Sequence, residues 1–368
     1  MKHRFGFLMN TELNELYVTM AMRSFAISMI NLFVPIYLIQ QGYTVFWVFI
    51  YFAVLALSHT ALTPIAAKYA SKHGFKHTIF FSIPFLIIYY LMLYTLDMWP
   101  LLLIPVIHGI SNSHFWMGYH VDFSKYSAKK SRGSQLGTAK IISSLFTVAG
   151  PVIGGFILVI AGFKVLFAIV ALLLLLTFIP LFYSNDTHEP ITFKLRNILK
   201  GKTFRDLIAY LAFGIEAGAN FVIWPLFLFF FVISDFSGLG LIHSLSLFFS
   251  LVFTYLAGKM TNKNSGFVIK AGSIMNALVW GLRMVIRTGF QAAIADALYG
   301  ISQVFMRLPF NARCYEKANA KDRLNYITFR EMTINFGRGV FLIVMAFAAN
   351  FLLSFLYAGA ASLILFIF

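Results

Sequence analysis

Apolar residues along this chain fall in long unbroken runs, and short polar stretches separate the runs. A helix crossing the hydrocarbon core of a bilayer needs about 20 mostly apolar residues. Twelve runs meet that requirement: 15–40, 45–67, 77–96, 99–121, 138–160, 165–183, 206–231, 239–259, 267–287, 290–310, 325–348 and 350–368. The pattern predicts an all-α membrane protein of about twelve transmembrane helices. Pro64, Pro84, Pro105, Pro151 and Pro225 fall inside runs, which membrane helices tolerate because neighbouring helices satisfy the freed carbonyls. The first run is longer than the roughly 7–15 apolar residues of a signal peptide and no small-residue cleavage site follows it, so it reads as a retained first helix.

The longest hydrophilic stretch, residues 184–205, follows the sixth run. It suggests a six-helix bundle over 1–183, a cytoplasmic linker over 184–205, and a second six-helix bundle over 206–368. No stretch is left for a soluble catalytic domain.

Composition reinforces the membrane reading. Hydrophobic residues make up 60% of the chain and charged ones only 11%, against about 25% charged in soluble domains. The net charge of +16 would suggest nucleic acid in a soluble protein. Here the cations gather before the first run and after the second, fourth, sixth, eighth and tenth. Lys68, Lys72 and Lys76 form one group, Lys129, Lys130 and Arg132 another, and Lys259 and Lys263 a third. The last group includes Arg307, Arg313, Lys321 and Arg323, while the opposite loops hold essentially Lys164 alone. The positive-inside rule then places both termini in the cytoplasm of a multi-pass cell-membrane protein. The partners implied are a lipid bilayer and a small molecule, with no nucleic acid and with the chain acting as a monomer. A single cysteine, Cys314, rules out an internal disulfide and argues against a cysteine metal site. There is no phosphate-binding glycine loop with its lysine, no HExxH and no CxxC. Neither a cofactor nor a metal is expected, and any energy source should be an ion gradient.

Two stretches carry a pattern. Residues 67–76 read AKYASKHGFK, and residues 132–155 read RGSQLGTAKIISSLFTVAGPVIGG. The first, with Lys72, Gly74 and Lys76, resembles the loop after helix 2 of the major facilitator superfamily. The second, with Gly150, Pro151, Gly154 and Gly155, resembles that family's antiporter motif on helix 5. After the eighth run, Gly258 and Lys263 in AGKMTNK echo the first loop, as expected of two related halves. Ser71 stands where the family has an aspartate that latches one conformational state. Pro105 stands where helix 4 often carries an arginine linked to proton coupling. The resemblance implies two rocking bundles and a cavity lined by helices 1, 4, 7 and 10.

Ionisable side chains inside a bilayer are costly, at least about 2.5–3.5 kcal/mol on insertion scales, and point to function. Glu216 lies about ten residues into the seventh run, roughly 15 Å deep at 1.5 Å per residue, with Asn220 and Trp224 following on the same face. Asp296 is followed by Tyr299 and Gln303 at helical spacing, and Arg338 is preceded by Glu331 and Asn335. Arg23 and Asn31 lie in the first run, and His108 and Asn112 in the fourth. Burial favours a protonated carboxyl and a nearby arginine favours the carboxylate. Glu216, then Asp296, with Arg338 and Glu331, are therefore the proton-coupling candidates. The bland alternative is a static ion pair of either acid with Arg338 or Arg23. Arg23, Asn31, His108, Asn112, Asn220, Trp224, Tyr299 and Gln303 are the substrate-cavity candidates. Arg283 and Arg287 are expected to snorkel to the interface. His59 and His243 are expected to serve packing, and Trp47 and Trp99 to anchor at the interface.

The resulting expectation is a secondary transporter driven by protons, exporting an amphipathic or cationic compound. A proton-coupled importer of a sugar or metabolite is the alternative, followed by a flippase or receptor. A lipid-modifying enzyme would have to rest on His120 and Asp122.

Overall fold

The computed structural model describes residues 11–127, 132–179, 193–318 and 322–368. Residues 184–192 of the expected linker lie outside the described residues, as do Lys129, Lys130 and Lys321. Among the described residues the chain is helical throughout, with no strand. The α-helices are α1 (Thr11–Ser28), α2 (Val34–Gln40), α3 (Val45–His73), α4 (Phe75–Tyr94), α5 (Leu103–Tyr126), α6 (Arg132–Thr147) and α7 (Gly150–Leu176). They continue as α8 (Phe204–Gly218), α9 (Trp224–Phe231), α10 (Phe236–Arg283), α11 (Gly289–Lys317), α12 (Arg323–Ala348) and α13 (Phe351–Ile364). Six described helical segments are long and apolar enough to cross a membrane.

The breaks have local causes. Pro35, in the first turn of α2, has no N–H for the carbonyl of Asn31, so the first run divides between α1 and α2. Pro225 does the same to the carbonyl of Phe221, and the turn before it, Ala219–Ile223, is π-helical. Two apolar stretches, Ser134–Leu176 and Phe236–Arg283, span 43 and 48 residues. Each is about twice the length one crossing needs. Each also bends inside: at Gly162, where φ is 76°, and at Asn264, where φ is −154°.

Glycine decides where the helices meet most closely. A Cβ on Gly154 would lie 1.8 Å from the carbonyl oxygen of Met29, and one on Gly155 would lie 2.5 Å from that of Phe236. The GPxxGG stretch therefore packs α7 backbone-to-backbone against the break after α1 and the start of α10. Gly258 approaches Gly137 on α6, with its Cα 3.7 Å from where a Gly137 Cβ would stand. Gly74 joins α3 to α4 with φ 94°, a left-handed position that only glycine takes without strain.

Two apolar clusters draw on elements from before and after the linker. One gathers Phe33, Tyr37, Phe49, Trp224, Phe227 and Phe341. The other, toward the cation-rich loops, gathers Phe75, Phe123, Tyr210, Phe310, Tyr315 and Phe329. The polar interior lies between them.

Candidate functional site

Glu216 sits in the last turn of α8 and is 0% exposed. Its Oε2 accepts from Arg307 Nη2 at 2.7 Å, and its Oε1 accepts from the Tyr299 hydroxyl at 2.8 Å and from Asn276 at 3.4 Å. Tyr299 and Arg307 are eight residues apart on α11, two turns along one face. Gln303 lies between them and donates to the Tyr299 hydroxyl at 3.4 Å.

A second pair lies beside it. Arg283 Nη2 donates to Asp296 Oδ1 at 2.6 Å and Nη1 to Asn220 Oδ1 at 3.1 Å. The indole N–H of Trp224 also donates to Asp296 Oδ1, at 2.8 Å. The Arg283 guanidinium lies 4.2 Å from the ring centroids of both Trp224 and Tyr299, and 4.5 Å from that of Trp280. Tyr299 thus touches both pairs: its hydroxyl holds Glu216 and its ring faces Arg283. A buried charge is sustained only where a partner and further hydrogen bonds replace water, and both pairs meet that condition.

A third group lies on α12. Glu331 pairs with Arg330, which also donates to Asn311 Oδ1 at 2.7 Å. His59 of α3 and His120 of α5 approach the Glu331 carboxylate at 3.6 and 3.4 Å. His120 also shares a short hydrogen bond with the Tyr315 hydroxyl. Asn335 donates to the Glu331 carbonyl at 2.9 Å. This group ties elements before the linker to elements after it.

The first-half candidates form looser contacts. Arg23 of α1 is 4% exposed. Its Nη2 reaches Asn112 Oδ1 only at 3.4 Å, and its guanidinium lies 3.6 Å from the Phe115 ring centroid. His108 stacks on Tyr89, ring centroids 4.1 Å apart. Asn31, in the break after α1, accepts from the Tyr90 hydroxyl at 3.0 Å.

Several expectations need correction. Neither Glu216 nor Asp296 pairs with Arg338 or Arg23; their partners are Arg307 and Arg283. Arg283 does not snorkel: it is 0% exposed, because Asp296 lies within reach across the α10–α11 hairpin. Arg287 is exposed. Arg307 is not a loop cation but the second member of the Glu216 pair. Its signal was present in sequence, since Asp296, Tyr299, Gln303 and Arg307 continue one helical face. Glu216, Asn220 and Trp224 divide between the two pairs. The π-turn adds a residue between Glu216 and Trp224 and offsets what an uninterrupted helix would align. His59 faces a carboxylate across helices as well as packing. Of the loop-motif residues, Lys72 and Lys263 are exposed while Lys76 is buried. No group of three or more His, Cys, Asp or Glu among the described residues could hold a metal ion.

Comparison with known proteins places this architecture. The sequence profile of the major facilitator superfamily matches residues 16–340, so the chain belongs to that family. Membership of that family points to a membrane transporter of small molecules. A Bacillus subtilis (strain 168) relative, the uncharacterized protein YqgE, is 24% identical over 352 residues, covering 88% of this chain and 80% of the relative. The crystal structure of the human organic anion transporter MFSD10 (TETRAN) superimposes with a TM-score of 0.74 at 10% identity, covering 97% of this chain and 98% of that one. The E. coli fucose:proton symporter FucP gives 0.71 at 12% identity, covering 98% of each chain. A bacterial homologue of the iron transporter ferroportin, in an outward-facing state, gives 0.71 at 13% identity, covering 97% and 96%. These likenesses share the fold.

Proposed function

We propose that this chain is a proton-coupled secondary transporter working by alternating access, with Glu216 as the proton carrier. Counting each bent helix as two crossings and each broken run as one gives twelve crossings. With the cation-rich loops inside, both termini are cytoplasmic and the membrane is the cell membrane. Two six-helix bundles, before and after the 184–205 stretch, then rock about the polar interior. The GPxxGG contacts among α1, α7 and α10 are close enough to act as a pivot, and the antiporter-like stretch favours export.

The observation that carries this reading is the fully buried Glu216 carboxylate, held by one arginine and one tyrosine hydroxyl. A carboxylate balanced by a single guanidinium can exchange that partner for a proton. The exchange frees Arg307 and loosens α8 against α11 within the second bundle, a change of internal shape through which protonation biases the bundle equilibrium. The test is flux in proteoliposomes under an imposed pH gradient. Wild-type protein should move cargo with the gradient, and Glu216→Gln should lose gradient-driven flux while keeping exchange of cargo across the membrane. Gradient-driven flux retained by Glu216→Gln would remove Glu216 from the coupling step.

A further inference from the structure

Three carboxylates and five arginines make up the polar interior described above. Arg283, Arg307 and Arg330 are matched by Asp296, Glu216 and Glu331. Among the described residues, Arg23 and Arg338 form no ion pair with a carboxylate. Arg23 is 4% exposed, and its Nε is buried without a hydrogen-bond partner. Arg338 is half-buried. The Nε atoms of all five arginines are buried without a hydrogen-bond partner, so the missing ion pair, not the Nε, sets Arg23 and Arg338 apart. An unpaired guanidinium inside a membrane protein is expensive, the more so when buried as Arg23 is, so these two positions are the ones open to a ligand.

The surroundings give that ligand its place. Arg23 belongs to α1 and meets the α5 face that carries His108 and Asn112. Gly109 of the same helix packs directly on Ser58 and His59 of α3. His59 in turn faces α12, where the Arg338 side chain packs its Cγ 3.2 Å from where a Gly218 Cβ would stand and lies within electrostatic reach of Glu216, Glu331 and Arg307. The two unmatched arginines thus stand on opposite bundles, with a band of imidazoles between them. His108 Nδ1 in that band is also buried without a hydrogen-bond partner.

We infer that the cargo is a small organic oxyanion, a carboxylate, sulfonate or phosphate ester, gripped by Arg23 from the first bundle and Arg338 from the second. This deepens the transport reading and replaces the cationic cargo suggested by sequence. A guanidinium offers planar paired donors matched to such groups. A ligand held from both bundles also favours their approach, so its binding biases the bundle equilibrium. An amphipathic anion suits the aromatic walls at Phe115 and Tyr89.

The test is thermal unfolding of the full-length protein in detergent, read with three matched sets of probes. One set holds aryl and alkyl carboxylates, sulfonates and phosphates, one their neutral amides or alcohols, and one their amine counterparts. At least one anion should raise the unfolding midpoint by about 3–5 °C at a hundredfold excess over its Kd. Its neutral and cationic counterparts should not. Arg23→Gln and Arg338→Gln should each weaken that anion at least about thirtyfold. Arg23→Lys should recover part of the loss, and Arg287→Gln should change nothing. Without ligand, Arg23→Gln should melt at or above the wild-type midpoint, since it removes an unpaired buried charge, and Arg338→Gln should melt close to it. The inference is overturned if no anion shifts the midpoint, if an amine shifts it as much, or if either Gln variant melts several degrees lower unliganded. Binding in detergent needs no gradient. A failure of proton coupling would therefore leave the anion shift intact, and a failure of anion binding would leave coupling standing.

Discussion

Glu216 and Arg23 are both charged, both buried in the bundle interior and both on helices that the family resemblance assigns to the cavity. Their surroundings differ. Glu216 has an arginine, a tyrosine hydroxyl and an asparagine amide within hydrogen-bond distance. Arg23 has one long hydrogen bond to Asn112 and an aromatic ring. The second half pairs its buried acids Glu216 and Asp296 internally, whereas Arg23 in the first half is a donor left waiting. Compensated charge can persist through a conformational cycle and exchange a partner for a proton. Uncompensated charge calls for something from outside. The two halves of a repeat-built fold can in this way hold different tasks on similar helices.

That contrast can be broken in graded steps. The largest effect belongs to Glu216→Gln, which should drop gradient-driven flux to the level of empty liposomes. Next is Arg283→Gln, which strands the buried Asp296 carboxylate with the indole of Trp224. It should cost about 3–5 kcal/mol, seen as a lowered unfolding midpoint. The double variant Arg283→Gln/Asp296→Asn should recover most of that loss, and failure to recover would deny the pair its closed character. Gly154→Ala comes third. Its Cβ would stand 1.8 Å from the Met29 carbonyl oxygen, and relieving the overlap should cost about 1–3 kcal/mol. Transport should fall more than stability if this contact is a pivot.

The smallest effect is at the start of α10. Asp235 accepts from the Ser237 hydroxyl at 2.6 Å and the Gly238 N–H at 2.7 Å. Those bonds hold its carboxyl below the usual carboxylate range. Its folded value lies below its unfolded one, so its contribution is full above the unfolded value, near 4, and fades as pH falls through the folded one. Asp235→Ala should cost about 0.5 kcal/mol near neutral pH, and the gap from wild type should close in acid. A gap that widened in acid would contradict the capping role.

Much of this was legible in sequence, and the exceptions have physical causes. The apolar runs mark where helices lie because a bilayer imposes length and composition directly on sequence. The GPxxGG stretch announces a close approach because only glycine leaves room for a neighbouring backbone. Glu216 and Asp296 stand out because isolated acids inside apolar runs are rare. Their partners did not stand out. Arg307 is 91 residues from Glu216, and no local period connects them. It lies at the cation-rich end of its run, where a charge needs no special explanation. Arg283 resembled a snorkelling side chain for the same reason. Only the packing of α10 on α11 shows that it turns inward. Arg23 could be located from the sequence, but its lack of a carboxylate partner is a fact of three dimensions.

The division of labour between the halves is tested most directly by one comparison: the anion-induced rise in unfolding midpoint in Glu216→Gln against that in Arg23→Gln. Glu216→Gln should keep the rise, because its site holds the proton. Arg23→Gln should lose it, because its site holds the cargo. A rise kept by Arg23→Gln and lost by Glu216→Gln would reverse the two assignments and contradict the account.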